Sequence, residues 1–301
     1  MSGVTLVDVT PRDGLQSVGP FVATKHKLDL IARLVAAGYH TLEAGAFVSP
    51  KHVPQMRDAA EIASGVAALP GTFYFLTPNP KGAALALEQG VTHLAYVVSA
   101  TEGHNQANTR RSIAASLDEL ETFWTALPAP KPTLKLAISC TFHCPFEGRV
   151  PSTAPIAIVE RVLGFCDRLS IALCDTTGRA HPTHVQRLSA EMLSRFGDAH
   201  GPWVYHGHDT YGFGVANALA AWGEGVTLIE GCAGGLGGCP FAPGATGNTA
   251  SEDLVFAFEE MGVTTGIDLE KLLEIADDVA AMDGVVTGGH IRQVPRARVL
   301  G

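Results

Sequence analysis

Strand-like and helix-like segments alternate eight times along this 301-residue chain, and that rhythm limits its folds more than any other feature. Short β-branched or aliphatic runs occur at Val4 to Val9, Tyr39 to Ala44, Thr72 to Leu76, Thr92 to Ser99, Thr133 to Cys140, Arg168 to Leu173, Trp203 to His208 and Val226 to Glu230. Between them apolar residues return at helical spacing, as in Leu28, Ile31, Leu34 and Val35, or Leu188, Met192 and Leu193. Eight such units predict a (β/α)8 barrel. An open doubly wound sheet fits less well, because no Gly-x-Gly-x-x-Gly turn follows the first run and no linker divides the chain. The proline-rich stretches Leu127 to Pro132 and Ala242 to Ala245 read as loops within units. One domain is expected over 1–301: a barrel over about 4–262 and a C-terminal helical extension over about 267–301, with a helix from Leu269 to Met282.

Composition narrows the class of partner. A net charge of −9 without a basic stripe excludes nucleic acid as the expected partner, and 46% hydrophobic residues suffice for a large core. The first residues show no positive n-region with a long apolar run behind it, and no stretch approaches the ~20 apolar residues that span a bilayer. The expectation is a cytoplasmic chain with no membrane partner. Six cysteines without an export signal argue against a disulfide framework, and no Cys-x-x-Cys pair suggests structural zinc.

Chemistry gathers where such a barrel places active sites, at the C-terminal strand ends. Arg12 and Asp13 follow the first run, Glu43 ends the second, Asp175 follows the sixth, His206 and His208 lie on the seventh, and Cys239 and Asn248 follow the eighth. Side chains alternate along a strand, so His206 and His208 share a face. With a carboxylate and an amide oxygen, two neutral imidazoles suit a divalent cation such as Mg2+, Mn2+, Co2+ or Zn2+. Two histidines on one strand face also occur for packing alone. What favours a site is that so many polar groups fall at one rim, where they are costly to bury unpaired.

The ordered motifs Thr10-Pro11-Arg12-Asp13-Gly14-Leu15-Gln16, Glu43-Ala44-Gly45-Ala46-Phe47-Val48-Ser49-Pro50, Leu76-Thr77-Pro78-Asn79, Cys144-Pro145-Phe146-Glu147-Gly148, Asp175-Thr176-Thr177-Gly178, His206-Gly207-His208-Asp209-Thr210-Tyr211-Gly212 and Ala233-Gly234-Gly235-Leu236-Gly237-Gly238-Cys239-Pro240 are similar to those of the 3-hydroxy-3-methylglutaryl-CoA (HMG-CoA) lyase family. The resemblance runs from about Val4 to about Leu273. It implies retro-Claisen cleavage of an acyl-CoA substrate, HMG-CoA, to acetyl-CoA and acetoacetate. It further implies Mg2+ or Mn2+ on Asp13, His206, His208 and Asn248, and a homodimer or larger homo-oligomer. Arg12 would hold the thioester oxygen as charge develops, and Cys239, on a glycine-rich loop, would transfer a proton. Asp175 and Glu43 would act in the proton relay or orient a ligand. The alternative for Arg12 is a structural ion pair with Glu43 or Asp175, and for Cys239 a small buried hydrophobe. Cys140, Cys144, Cys166, Cys174 and Cys232 are assigned to packing.

Related isopropylmalate and homocitrate synthases and 4-hydroxy-2-oxo-acid aldolases share the Arg-Asp-Gly and His-x-His elements but not this cysteine loop. A catalytically silent acyl-CoA-binding barrel would have lost at least one of these site residues, and none is lost. Gly231 stands where the family usually has serine and His143 where it has glycine, and Cys174 and the segment Ser99 to Asn108 also depart from it. These differences leave open a related 3-hydroxy-acyl-CoA substrate, either another 3-hydroxy-3-alkylglutaryl-CoA or citramalyl-CoA. Space at Gly231 and a cationic His143 near the substrate are the expected causes.

Overall fold

The computed structural model describes residues 3–166, 168–197, 201–238 and 247–300. Eight parallel strands close into one barrel: β1 (Thr5–Asp8), β2 (Thr41–Ala46), β3 (Thr72–Thr77), β4 (His93–Ser99), β5 (Thr133–Ser139), β6 (Leu169–Asp175), β7 (Trp203–Gly207) and β8 (Leu228–Gly231). Closure comes from β1 against β8, with Thr5 opposite Leu228 and Asp8 opposite Gly231. Around this lie α1 (Thr24–Ala36), α2 (Ala59–Val66), α3 (Pro80–Glu88), α5 (Ile113–Ala126), α6 (Thr153–Leu163), α7 (Pro182–Phe196), α8 (Gly214–Gly223) and α9 (Ser251–Glu260), preceded in the fourth unit by a short extra helix, α4 (Glu102–Thr109). The expected (β/α)8 barrel is therefore the observed fold. No helix among the described residues is long and apolar enough to cross a membrane.

Outer strand faces such as Leu42, Leu94, Leu136, Leu173 and Ile229 are fully buried against the helix ring. Strands covered on both faces read as continuous apolar runs, so their ends are not marked in the sequence. β2 accordingly runs to Ala46 and not Ala44, which places Glu43 in mid-strand, 1% exposed and inside the barrel, instead of at the strand's end. A register shift between Glu43 and Gly45 accompanies this placement. Such bulges re-aim side chains.

The helix expected from Leu269 to Met282 is α10 (Leu269–Ala280), capped by Asp268, whose carboxylate accepts the Lys271 N–H. Its buried stripe, Leu272, Leu273, Ile275, Ala276 and Val279, packs against α1 and α9. It covers the seam where the last unit meets the first.

Candidate active site

The site begins where β1 ends. A π-turn over Thr10–Gly14 follows the strand, with Pro11 fitting the start because it has no N–H to lose. Asp8 accepts the Thr10 N–H at 2.8 Å, and Thr10 Oγ1 accepts the Ala233 N–H at 2.8 Å, fastening this turn to the loop after β8. Arg12 and Asp13 are thereby directed over the barrel's mouth. Single π-turns within helical geometry are frequent at functional sites.

Two strands round the barrel from β1, His206 on β7 and His208 just beyond it have ring centroids 5.3 Å apart. Asn248, remote in sequence, arrives through an antiparallel bridge opposite His208, with the Asp209 N–H on Gly247 O and the Thr249 N–H on Gly207 O, both at 2.9 Å. Ligand atoms of Asp13, His206 and His208 lie within 4.8 Å of one another. The Asn248 amide nitrogen donates to Asp13 Oδ2 at 2.8 Å and to Leu236 O at 3.1 Å. Both partners are acceptors, which fixes the amide's orientation and leaves Oδ1 buried without a hydrogen-bond partner among the described residues. A buried orphan acceptor beside a carboxylate and two imidazoles fits a divalent cation.

Electrostatics agree with that fit. Burial alone would raise the Asp13 carboxyl, but Arg12, His206 and His208 outweigh it and hold the group well below the usual carboxylate range. Burial and the neighbouring His206 push His208 down to about 4, so it stays neutral, as a ligand must. Burial also lowers His206, but the Glu230 hydrogen bond and charge and the Asp13 charge raise it on balance. Arg12 Nε and Nη2 reach Glu43 at 2.5 Å and Nη1 meets Asp13. The structural pairing weighed for Arg12 is thus present with Glu43, yet Arg12 also lines the cavity.

Beneath these groups lies a pair that the sequence reading did not single out. Lys135 bridges Glu43 and Glu230, and Glu230 Oε2 is 2.8 Å from His206 Nδ1. Burial would raise Glu230, but Lys135 and His206 draw it down to about 2. The available signal was a lone charge inside the apolar run Thr133 to Cys140: a buried lysine requires partners. Arg12 and Lys135 thus face Asp13, Glu43 and Glu230, two basic side chains against three acidic ones.

The cavity above holds about 630 Å3. Arg12, Asp13, Glu43, His206, His208 and Glu230 line it together with apolar Leu76, Val97 and Ala137, and further lining comes from His52, Asn79, Asn108 and Arg110. Asn108 and Arg110 belong to α4 and its left-handed cap, and Asn108 ends the segment where the sequence departs from the family pattern. Cys174, assigned to packing, lines the cavity as well, but burial pushes its thiol well above the ordinary range. Asp175 ends β6 and is turned to its own loop, accepting the Arg179 N–H at 3.2 Å and the Ala180 N–H at 3.0 Å. Burial, the largest effect, pushes it up to about 6. Cys239 lies outside the described residues.

Two expectations about substrate fit are corrected here. A Cβ on Gly231 would come within 2.8 Å of Leu254 Cδ1 and 2.9 Å of Ser251 Oγ, so this glycine is packed against α9 and opens no space at the rim. His143 is half-buried opposite Arg149 in a small hairpin and is not among the cavity's lining residues. Burial and Arg179 lower its pKa, which leaves the ring neutral and unsuited to pair with a substrate anion.

The turn after β8 rests on Glu252, whose Oε2 accepts the Gly234 N–H at 3.0 Å. Burial raises this carboxyl from near 4.5 to about 7. The folded chain then keeps a proton that the unfolded chain releases over that interval. The associated stability is complete below pH 4.5 and is lost as pH rises through 7. Comparing wild type with Glu252→Gln by chemical unfolding, the wild type is expected to lose about 2–3 kcal/mol relative to the variant between pH 5 and pH 8. A pH-independent difference would contradict this assignment.

The HMGL-like family model matches residues 3–279. The (R)-citramalyl-CoA lyase of Chloroflexus aurantiacus is 41% identical over 295 residues, covering 94% of this chain and 92% of that protein. The hydroxymethylglutaryl-CoA lyase YngG of Bacillus subtilis is 38% identical over 274 residues, 91% of each. Among solved structures, an HMG-CoA lyase from Acinetobacter baumannii in complex with coenzyme A and 3-methylmalate superimposes with a TM-score of 0.90 at 37% identity, covering 97% of this chain and 95% of that one.

Proposed function

The chain belongs to the HMGL-like family, and from that premise we propose that it is a divalent-metal-dependent carbon–carbon lyase cleaving HMG-CoA to acetyl-CoA and acetoacetate. The observation that carries the reading is the Asp13, His206 and His208 cluster, with the orphan Asn248 Oδ1, on the same cavity as Arg12. Those four residues would hold Mg2+ or Mn2+. The chemistry such an ion supplies when bound is a Lewis-acid charge that acidifies the substrate's tertiary hydroxyl and fixes its orientation.

The remaining work falls to the chain's own residues. As the C2–C3 bond breaks, charge develops on the thioester oxygen, and the Arg12 guanidinium, held by Asp13 and Glu43, presents its remaining N–H donors to that oxygen. Glu43 orients Arg12. Asp175 acts on the site by fixing the turn after β6, a positioning role. Cys239 carries a proton transfer, either giving a proton to the enolate carbon after cleavage or helping to take the hydroxyl proton, and Cys239→Ser is expected to lower kcat on the order of 10²–10⁴-fold with little change in KM. Equal activity in the serine variant would return Cys239 to packing. Toward solvent, Arg110, with Nη2 3.4 Å from His52 Nε2, offers positive charge to the phosphates of a CoA ester.

A second reading, cleavage of (R)-citramalyl-CoA to acetyl-CoA and pyruvate, is favoured by the 41% identity with the Chloroflexus enzyme. Both substrates carry one free carboxylate on the acyl chain. Comparing kcat/KM for the two thioesters, with acetoacetate and pyruvate quantified as products, decides between them. Release of neither product from either ester would remove the lyase reading. A cytoplasmic homodimer or larger homo-oligomer completes the proposal, its assembly checked by light scattering.

A further inference from the structure

Lys135 lies inside the barrel, 3% exposed, and is absent from the cavity's lining. A buried ion pair is weak evidence of stability, because desolvating both charges offsets most of their attraction. Its geometry supplies another reason for it. The ammonium holds Oε1 of both Glu43 and Glu230. The second oxygen of each carboxylate serves the site: Glu43 Oε2 accepts from Arg12, and Glu230 Oε2 accepts from His206 Nδ1. Two carboxylates are thus gathered on one cation, and each extends one arm upward.

We propose that Lys135 is a positioning residue that sets both halves of the site from below, through Glu230 the ligand histidine and through Glu43 the arginine. The hydrogen bond to Glu230 fixes the His206 tautomer with its proton on Nδ1, leaving Nε2 to face the cation. Without the ammonium, two neighbouring carboxylates would repel one another in a low-dielectric interior and turn toward other donors. His206 and Arg12 would then lose their fixed orientation together. The inference rests on the metal reading given above.

The test uses the full chain and two readouts: Mn2+ affinity by titration calorimetry, and the His206 tautomer in the metal-free protein by long-range 15N–1H NMR. Lys135→Met is expected to mix the tautomers and weaken Mn2+ binding about 10–100-fold, with Lys135→Arg restoring part of both. In a Glu230→Gln background, Lys135→Met should change Mn2+ affinity less than about threefold, since the arm through which it acts is already cut. A folded Lys135→Met protein with the wild-type tautomer and affinity would overturn the proposal. Should Lys135→Met not fold, Glu230→Gln is compared with the charge-balanced Lys135→Met/Glu230→Gln: equal affinity supports the proposal, and a further tenfold loss overturns it. If wild type binds no Mn2+, the metal reading fails, while the tautomer comparison still reports on Lys135.

Discussion

Exhaustive chelation is expected to lower carbon–carbon cleavage by about 10³–10⁴-fold, and Mn2+ or Mg2+ to restore it. The tertiary hydroxyl of the substrate ionises far above neutrality, and a bound divalent cation contributes several kcal/mol toward stabilising its anion, each ~1.4 kcal/mol being tenfold in rate. Among the described residues, the two cations beside the ligand cluster are already engaged: Arg12 is committed to Asp13 and Glu43, and Lys135 is buried on Glu43 and Glu230. Asp13→Asn and His206→Ala should reproduce the loss and weaken Mn2+ binding measured by calorimetry. Full turnover after chelation, checked by elemental analysis of the protein, would remove the ligand assignment.

Arg12→Gln is expected to cost on the order of 10³ in kcat while Mn2+ affinity is preserved. Removing one neutral oxyanion donor typically costs ~10²–10³, and a charged fork contributes more. Preservation of metal binding follows from the contacts: the guanidinium shares Asp13, so its removal withdraws a cation that competes for a ligand carboxylate. Glu43 keeps Lys135 as a partner in the variant and is not left as an uncompensated buried charge. The two parameters, measured on one preparation, separate a catalytic arginine from a structural one. An unchanged kcat would assign Arg12 to the ion-pair network alone.

Several parts of this protein were legible in short windows of sequence. The alternation of strand and helix signals gave the barrel, because each unit's periodicity is local. Strand parity put His206 and His208 on one face, and the rule that barrel strand ends carry chemistry grouped them with Asp13 and Arg12. The depth of Glu43 was not legible, since doubly covered strands hide their ends and a bulge intervenes. Gly231 and His143 were misread for a related reason: whether a rim residue faces substrate or a neighbouring helix depends on packing, which one residue's identity does not record.

Tertiary structure alone decided the rest. Asn248 reaches the site through a two-sided bridge to the segment around His208, and its amide is oriented by a carboxylate 235 residues away in sequence. Lys135 and Glu230 meet across 95 positions inside the closed barrel. The sequence by itself determines elements and faces, because those follow from backbone geometry repeated every two or 3.6 residues. It leaves to the fold the meeting of buried charges, because their partners are chosen through space, where closing the barrel withdraws water and each ionised group must be neutralised by whichever distant side chain the strand register brings alongside.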